Sequence, residues 1–107
     1  MAGYIQITTT TSSKHDAERI ADTLIGKRLA GCVQISGPMK SAFVWKGKKE
    51  QANEWICFIK TSESNYSKIE REIRKIHKYS VPEILSFRID KGNQAYLKWL
   101  GDSLGRV

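Results

Sequence analysis

The segment His77-Lys78-Tyr79-Ser80-Val81-Pro82-Glu83-Ile84 constrains the fold of this chain more than any other stretch. Pro82 fixes its own φ, carries no backbone N–H, and pushes Val81 toward extended geometry. A helix approaching from upstream must therefore end before Pro82, and a strand can open behind it. The junction gathers an imidazole, a phenol and a carboxylate (His77, Tyr79, Glu83) into seven residues. Such a corner serves either as a structural turn or as a place where a ligand binds.

The pattern around this junction gives the order of elements. Tyr4 to Thr10 starts with alternation and is rich in β-branched residues, which suits a strand. Ser12 or Ser13 is a good N-cap, and with Ser13 as cap, Asp16 stands at the capping-box position. The helix that follows runs to about Arg28, with Ala17, Ile20, Ala21 and Leu24 as its core stripe. Cys32 to Ser36 reads as a second strand, and Gly37-Pro38 as a kink or bulge that redirects it. Met39 to Trp45 continues extended, with Ser41, Phe43 and Trp45 on one side. Lys46 to Asn53 reads as the polar connection of a hairpin. Glu54 to Thr61 holds the apolar run Trp55 to Ile59, expected of a central strand covered on both faces. Ser62 or Ser64 caps a second helix with Tyr66, Ile69, Ile73 and Ile76 inward. Ile84 to Ile89 alternates as a further strand, and Gln94 to Leu104 forms a short terminal helix carrying Tyr96, Trp99 and Leu100. The class is α+β: a ferredoxin-like β-α-β-β-α-β sandwich over residues 1–107, one domain, with an extended hairpin and a C-terminal helix. A projecting hairpin with Phe43, Trp45 and Trp55 exposes apolar area that pairing with further subunits would cover.

Several motifs lie along this order. His77-x-Tyr79-x-x-Pro82-Glu83 is preceded by Arg28-Leu29-Ala30-Gly31-Cys32-Val33. Between them stand Ser41-Ala42-Phe43-Val44-Trp45-Lys46-Gly47-Lys48 with Glu50 and Glu54, then Lys60-Thr61. Tyr96-Leu97-Lys98-Trp99-Leu100 follows. In this order they resemble the CutA family of divalent-cation tolerance proteins along nearly the whole chain. The resemblance implies a compact homotrimer with intersubunit strand pairing, and binding of divalent cations, Cu(II) in particular. It also implies a likeness in assembly to PII-type signalling trimers. The family's copper-ligating cysteine falls on Thr9 and its two adjacent histidines on Ile76 and His77. Its following proline is Lys78 here. Only His77 is retained.

Copper affinity rests on several imidazole or thiolate donors in a defined geometry. His77 with Glu83 therefore makes at most a weak metal site unless neighbouring subunits contribute, and His77 reads first as a residue capping the helix C-terminus, its charge well placed against the helix dipole. Met39 reads as packing and His15 as exposed. Motif residues able to line a small-molecule cleft between subunits are Trp45, Glu54, Lys60, His77, Tyr79 and Glu83. Each has a structural alternative: Trp45 in hairpin packing, Glu54 and Lys60 in ion pairs, Tyr79 in the core. The hydroxyl run Thr8 to Ser13 lacks the glycines of a phosphate loop and reads as capping.

No nucleophile–base order is apparent, so the chain reads as a non-enzyme. The net charge is +7, from 18 Lys and Arg against 11 Asp and Glu. Lys68, Arg71, Lys75 and Lys78 form a basic stripe, read as a solvated face with a Glu70–Arg74 pair rather than a nucleic-acid surface, since no aromatics interleave. A small-molecule or protein partner fits better than DNA. Cys32 and Cys57 are isolated, as expected in a reducing compartment. No window approaches the roughly 18 apolar residues of a membrane span. Met1-Ala2-Gly3-Tyr4 leads straight into a strand, so a cytoplasmic location is expected.

Overall fold

The computed structural model describes residues 3–105; Met1 and Ala2, read above as leading into the first strand, lie outside them. The order is β1 (Tyr4–Thr11), α1 (Lys14–Gly26), β2 (Cys32–Trp45), β3 (Lys48–Ser62), α2 (Tyr66–Ile76), β4 (Ile84–Ile89) and α3 (Gln94–Ser103). The four strands form one antiparallel sheet in the order β2-β3-β1-β4. That is the ferredoxin-like arrangement, with α1 and α2 on one face.

Local signals explain most of the boundaries. Ser13 is extended and its hydroxyl accepts the Asp16 amide at 3.1 Å, the expected cap of α1. The helix ends at Gly26, two residues earlier than expected, because Arg28 turns into the left-handed region at φ 57°. The Leu29 amide then closes on the Leu24 carbonyl at 2.9 Å. Asn93 caps α3 through the Tyr96 amide at 3.0 Å.

Two expectations about α2 change. No side chain caps it: Ser62 and Ser64 bond each other at 2.9 Å, and a 3₁₀ turn over Glu63–Asn65 supplies the entry. The Glu70–Arg74 pair is not formed. Glu72 instead takes Lys27 at 3.0 Å and Lys75 at 3.4 Å, which together hold its carboxyl below the usual range.

The largest correction concerns the hairpin. The stretch Lys48 to Asn53 is strand, paired residue by residue with Lys40 to Trp45, and the connection shrinks to Lys46-Gly47. Both turn residues have positive φ, 52° and 77°, as a type I′ turn requires. The polar residues there line a projecting ribbon rather than a loop. It lengthens the protomer to 44 × 26 × 21 Å and raises the radius of gyration to 14.4 Å, against about 13 Å for a compact chain of this length. The bulge at Gly37-Pro38 falls where the sequence puts it, between Ser36 and Met39.

Side-chain parity sorts the sheet into two unlike faces. Ile5 and Ile7 of β1 and Cys57 and Ile59 of β3 are buried against Ala17, Ile20 and Leu24 of α1 and Ile69 and Ile73 of α2. Removal of each large aliphatic chain from water contributes roughly 1.5–3 kcal/mol. The other face carries Ile56 and Phe58 of β3 and Leu85 and Phe87 of β4. It is covered only at its ends. α3 docks at one end, with Leu100 buried. Ile56 and Phe58 are only half-buried and Phe87 remains 52% exposed, so β3 is central in the sheet but not covered on both faces as expected.

Candidate functional site

The segment between α2 and β4 wraps around the end of β1, from the helical face of the sheet to the open one. α2 ends at Ile76, and His77 turns extended while its amide still reaches the Ile73 carbonyl at 2.8 Å. The imidazole then spans the gap to β1. Nε2 lies 2.7 Å from the Thr10 carbonyl, and Nδ1 accepts the Tyr79 amide at 3.1 Å. A carbonyl can only accept and an amide can only donate, so the ring is the neutral tautomer protonated at Nε2. The β1–β4 ladder ends at Thr9 and Ile84, one residue short of the carbonyl that His77 takes. His77 thus fastens α2 and the wrapping segment to β1. A neutral ring carries no charge to set against the helix dipole, so the expected charged cap is replaced by a two-sided staple.

Tyr79 follows the staple onto the open face. Its ring lies 5.0 Å from that of His77, and its hydroxyl donates to Glu54 Oε2 at 2.9 Å. Burial, followed by the Glu54 contact and charge, pushes the phenol up to about 12. Glu83, at the start of β4, accepts a long contact from the Thr8 hydroxyl at 3.5 Å. Lys78 sits 3.4 Å from Asp16 of α1, an ion pair that sets it apart from the basic stripe of α2.

Between this segment and the stem of the hairpin lies an open cavity of about 890 Å³. Trp45, Glu54, Tyr79 and Glu83 all line it, four of the six residues singled out above. His77 adjoins it with both nitrogens turned into the fold. Lys60 is absent from it. It lies six residues along β3 from Glu54, about 20 Å in extended chain, and its ammonium donates to Gln34. Neither Lys60 nor Glu54 belongs to an ion pair among the described residues. Glu50 and Phe43 also line the cavity. Strand parity could have found Glu50, since Glu50, Ala52 and Glu54 share one face of β3 once that strand is extended back to Lys48.

The donors of one protomer do not fit a copper centre. Among the described residues no three of His, Cys, Asp and Glu gather closely enough to hold an ion. Both nitrogens of His77 are occupied. Thr9, at the position of the family's cysteine, is fully buried with its hydroxyl unpartnered, and it pairs across the sheet with Cys57. Cys57 itself gives its thiol to the Ala17 carbonyl at 3.7 Å, and burial pushes it up to about 11, far from the thiolate that a soft metal takes.

Comparison with known proteins agrees with this architecture. Residues 5–103 match the family described as CutA1 divalent ion tolerance protein. The chain is 37% identical over 104 residues to the divalent-cation tolerance protein CutA of Archaeoglobus fulgidus, covering 97% of this chain and 99% of that one. It is 41% identical over 86 residues to the CutA homolog of Xenopus laevis, covering 80% of this chain, but it spans only 57% of the Xenopus protein's length. Among solved structures, the divalent cation tolerance protein of Thermus thermophilus superposes with a TM-score of 0.93 at 32% identity, over 95% of this chain and 99% of that one. A match of sequence and fold across almost every described element leaves one conclusion: the chain belongs to the CutA1 divalent ion tolerance family.

Proposed function

We propose that this chain acts in divalent-cation tolerance as a non-enzymatic homotrimer assembled by intersubunit strand pairing. The observation that carries the assembly is the half-covered sheet. β2 and β4 are both edges, and the face between them leaves Leu85, Phe87, Tyr96 and Trp99 in water. A monomer rarely keeps such a face open beside two unpaired edges, and other copies of the chain would cover both at once. The link to cation tolerance rests on family membership. Direct metal contact is weak in this reading, because a single protomer offers no complete donor set, and any firm site draws donors from more than one subunit. Two free thiols, Cys32 and Cys57, suit a reducing cytoplasm.

A second reading, a PII-like trimer that binds a small molecule or a partner, is favoured by the cavity that joins Trp45, Glu54, Tyr79 and Glu83. Calorimetric titration of Cu(II) into the protein and its His77→Ala variant, with subunit stoichiometry measured on the same samples, tests the metal arm. Weak binding that persists in the variant is expected. Micromolar or tighter binding that vanishes in the variant would show that His77 anchors a site, against this reading.

A further inference from the structure

We propose that the cavity between the hairpin stem and the 77–83 segment binds an organic cation, a primary amine or polyamine, with Glu54 as its anchoring carboxylate. The inference rests on the small-molecule reading above and deepens it by naming the ligand's class.

Glu54 is only 8% exposed, yet no Lys, Arg or His lies within ion-pair distance of it among the described residues. Its Oε2 takes the Tyr79 hydroxyl, and its other oxygen has no donor among them. That free oxygen still meets solvent in the open cavity, where a cation can pair with it. The walls repeat the preference. Glu50 and Glu83 add two further carboxylates, so three of the chain's 11 acidic residues line one cavity in a protein of net charge +7. The lone cation on the lining, Lys78, is 3.4 Å from Asp16.

The rest of the lining selects the kind of cation. Phe43, Trp45 and Tyr79 present aromatic surface, and the face of Trp45 already draws the Lys46 ammonium to 6.0 Å from the ring centroid. A volume of about 890 Å³ falls in the range of organic-ligand pockets, roughly 300–1,000 Å³. The carboxylates do not gather into a set that holds a bare ion. Anions find no free positive group on the walls. Carboxylates spread over aromatic walls match a ligand with charged nitrogens joined by an apolar stem.

The test uses the native assembly and 1,6-diaminohexane as probe, with 1,6-hexanediol as its neutral counterpart and Mg²⁺ as a bare cation. Calorimetry and ligand-observed NMR on the unmodified protein should show saturable binding of the diamine and none of the diol. Glu54→Gln keeps an acceptor for Tyr79 but removes the charge, and should weaken the diamine at least about tenfold. Trp45→Leu should weaken it too, whereas Glu18→Gln, on the exposed side of α1, should change nothing. The proposal falls if no diamine binds by about 10 mM, if the diol binds as well, if equal charge as Mg²⁺ displaces the diamine fully, or if Glu54→Gln and Trp45→Leu leave its affinity unchanged. Native mass on the same samples reports subunit number separately, so loss of the trimer and loss of the amine site are distinguishable.

Discussion

Replacing His77 with alanine removes two hydrogen bonds that no other side chain can supply, and their geometry sets the size of the effect. The bond from Nε2 to the Thr10 carbonyl is 2.7 Å and that from the Tyr79 amide to Nδ1 is 3.1 Å, both partly buried. Each contributes about 0.5–1.5 kcal/mol net, with more lost where a partner stays unsatisfied in the fold. His77→Ala should therefore lower stability by about 2 kcal/mol, or about 8–16 °C in Tm for a domain of this size. His77→Asn places an oxygen near the Nδ1 position and keeps the Tyr79 amide satisfied. His77→Gln places an amide N–H near Nε2 and keeps the Thr10 carbonyl satisfied. Each should recover roughly half of the loss. The assay is denaturant unfolding at one fixed protein concentration, because assembly makes the midpoint concentration-dependent. Ring ¹⁵N shifts of the unmodified protein should report the tautomer protonated at Nε2. An alanine variant within about 0.5 kcal/mol of the parent, or a ring protonated at Nδ1, would refute the staple.

Further outcomes follow from the same geometry. Thr9→Val removes a fully buried hydroxyl without a partner while nearly preserving volume, and should raise stability by about 1 kcal/mol; a lower Tm would mean the hydroxyl is satisfied after all. Gly37 stands at φ 151°, where an added Cβ would meet the Glu54 carbonyl at 2.9 Å and Trp55 Cδ1 at 2.7 Å. Gly37→Ala should thus cost about 1–3 kcal/mol in a melt, whereas Gly47→Ala, with open space around it, should be limited to its φ strain. Tyr79 ionises near 12 in the fold against 10.0 for the free phenol, so the unfolded chain releases that proton first. Its contribution is complete below pH 10 and is lost as pH rises through 12, which alkaline melts of the parent and of Tyr79→Phe should separate.

The sequence made local structure plain and left contacts between distant segments hidden. The Ser13 cap, the inward stripes of both long helices and the kink at Gly37-Pro38 are written within a few residues each, so their patterns are readable in one dimension. The hairpin misled for a physical reason. Lys48 to Asn53 is polar because the ribbon projects from the protomer and no core selects apolar residues there. The readable clue was Gly47, whose positive φ suits the second place of a two-residue turn. At the site, His77 and Tyr79 were visible as a motif, but their partners Thr10 and Glu54 lie 67 and 25 residues away. No spacing rule reaches that far. Within one protomer Lys60 stands apart from Glu54 because both lie on one extended strand, six residues from each other.

The open face of the sheet and its two free edges are what tie this fold to its proposed assembly. Sedimentation equilibrium of the tag-free protein at micromolar concentration reads that out directly. With a chain of 12.2 kDa, three copies predict a single species of three times that mass, about 37 kDa. A species of one-chain mass under the same conditions would contradict it.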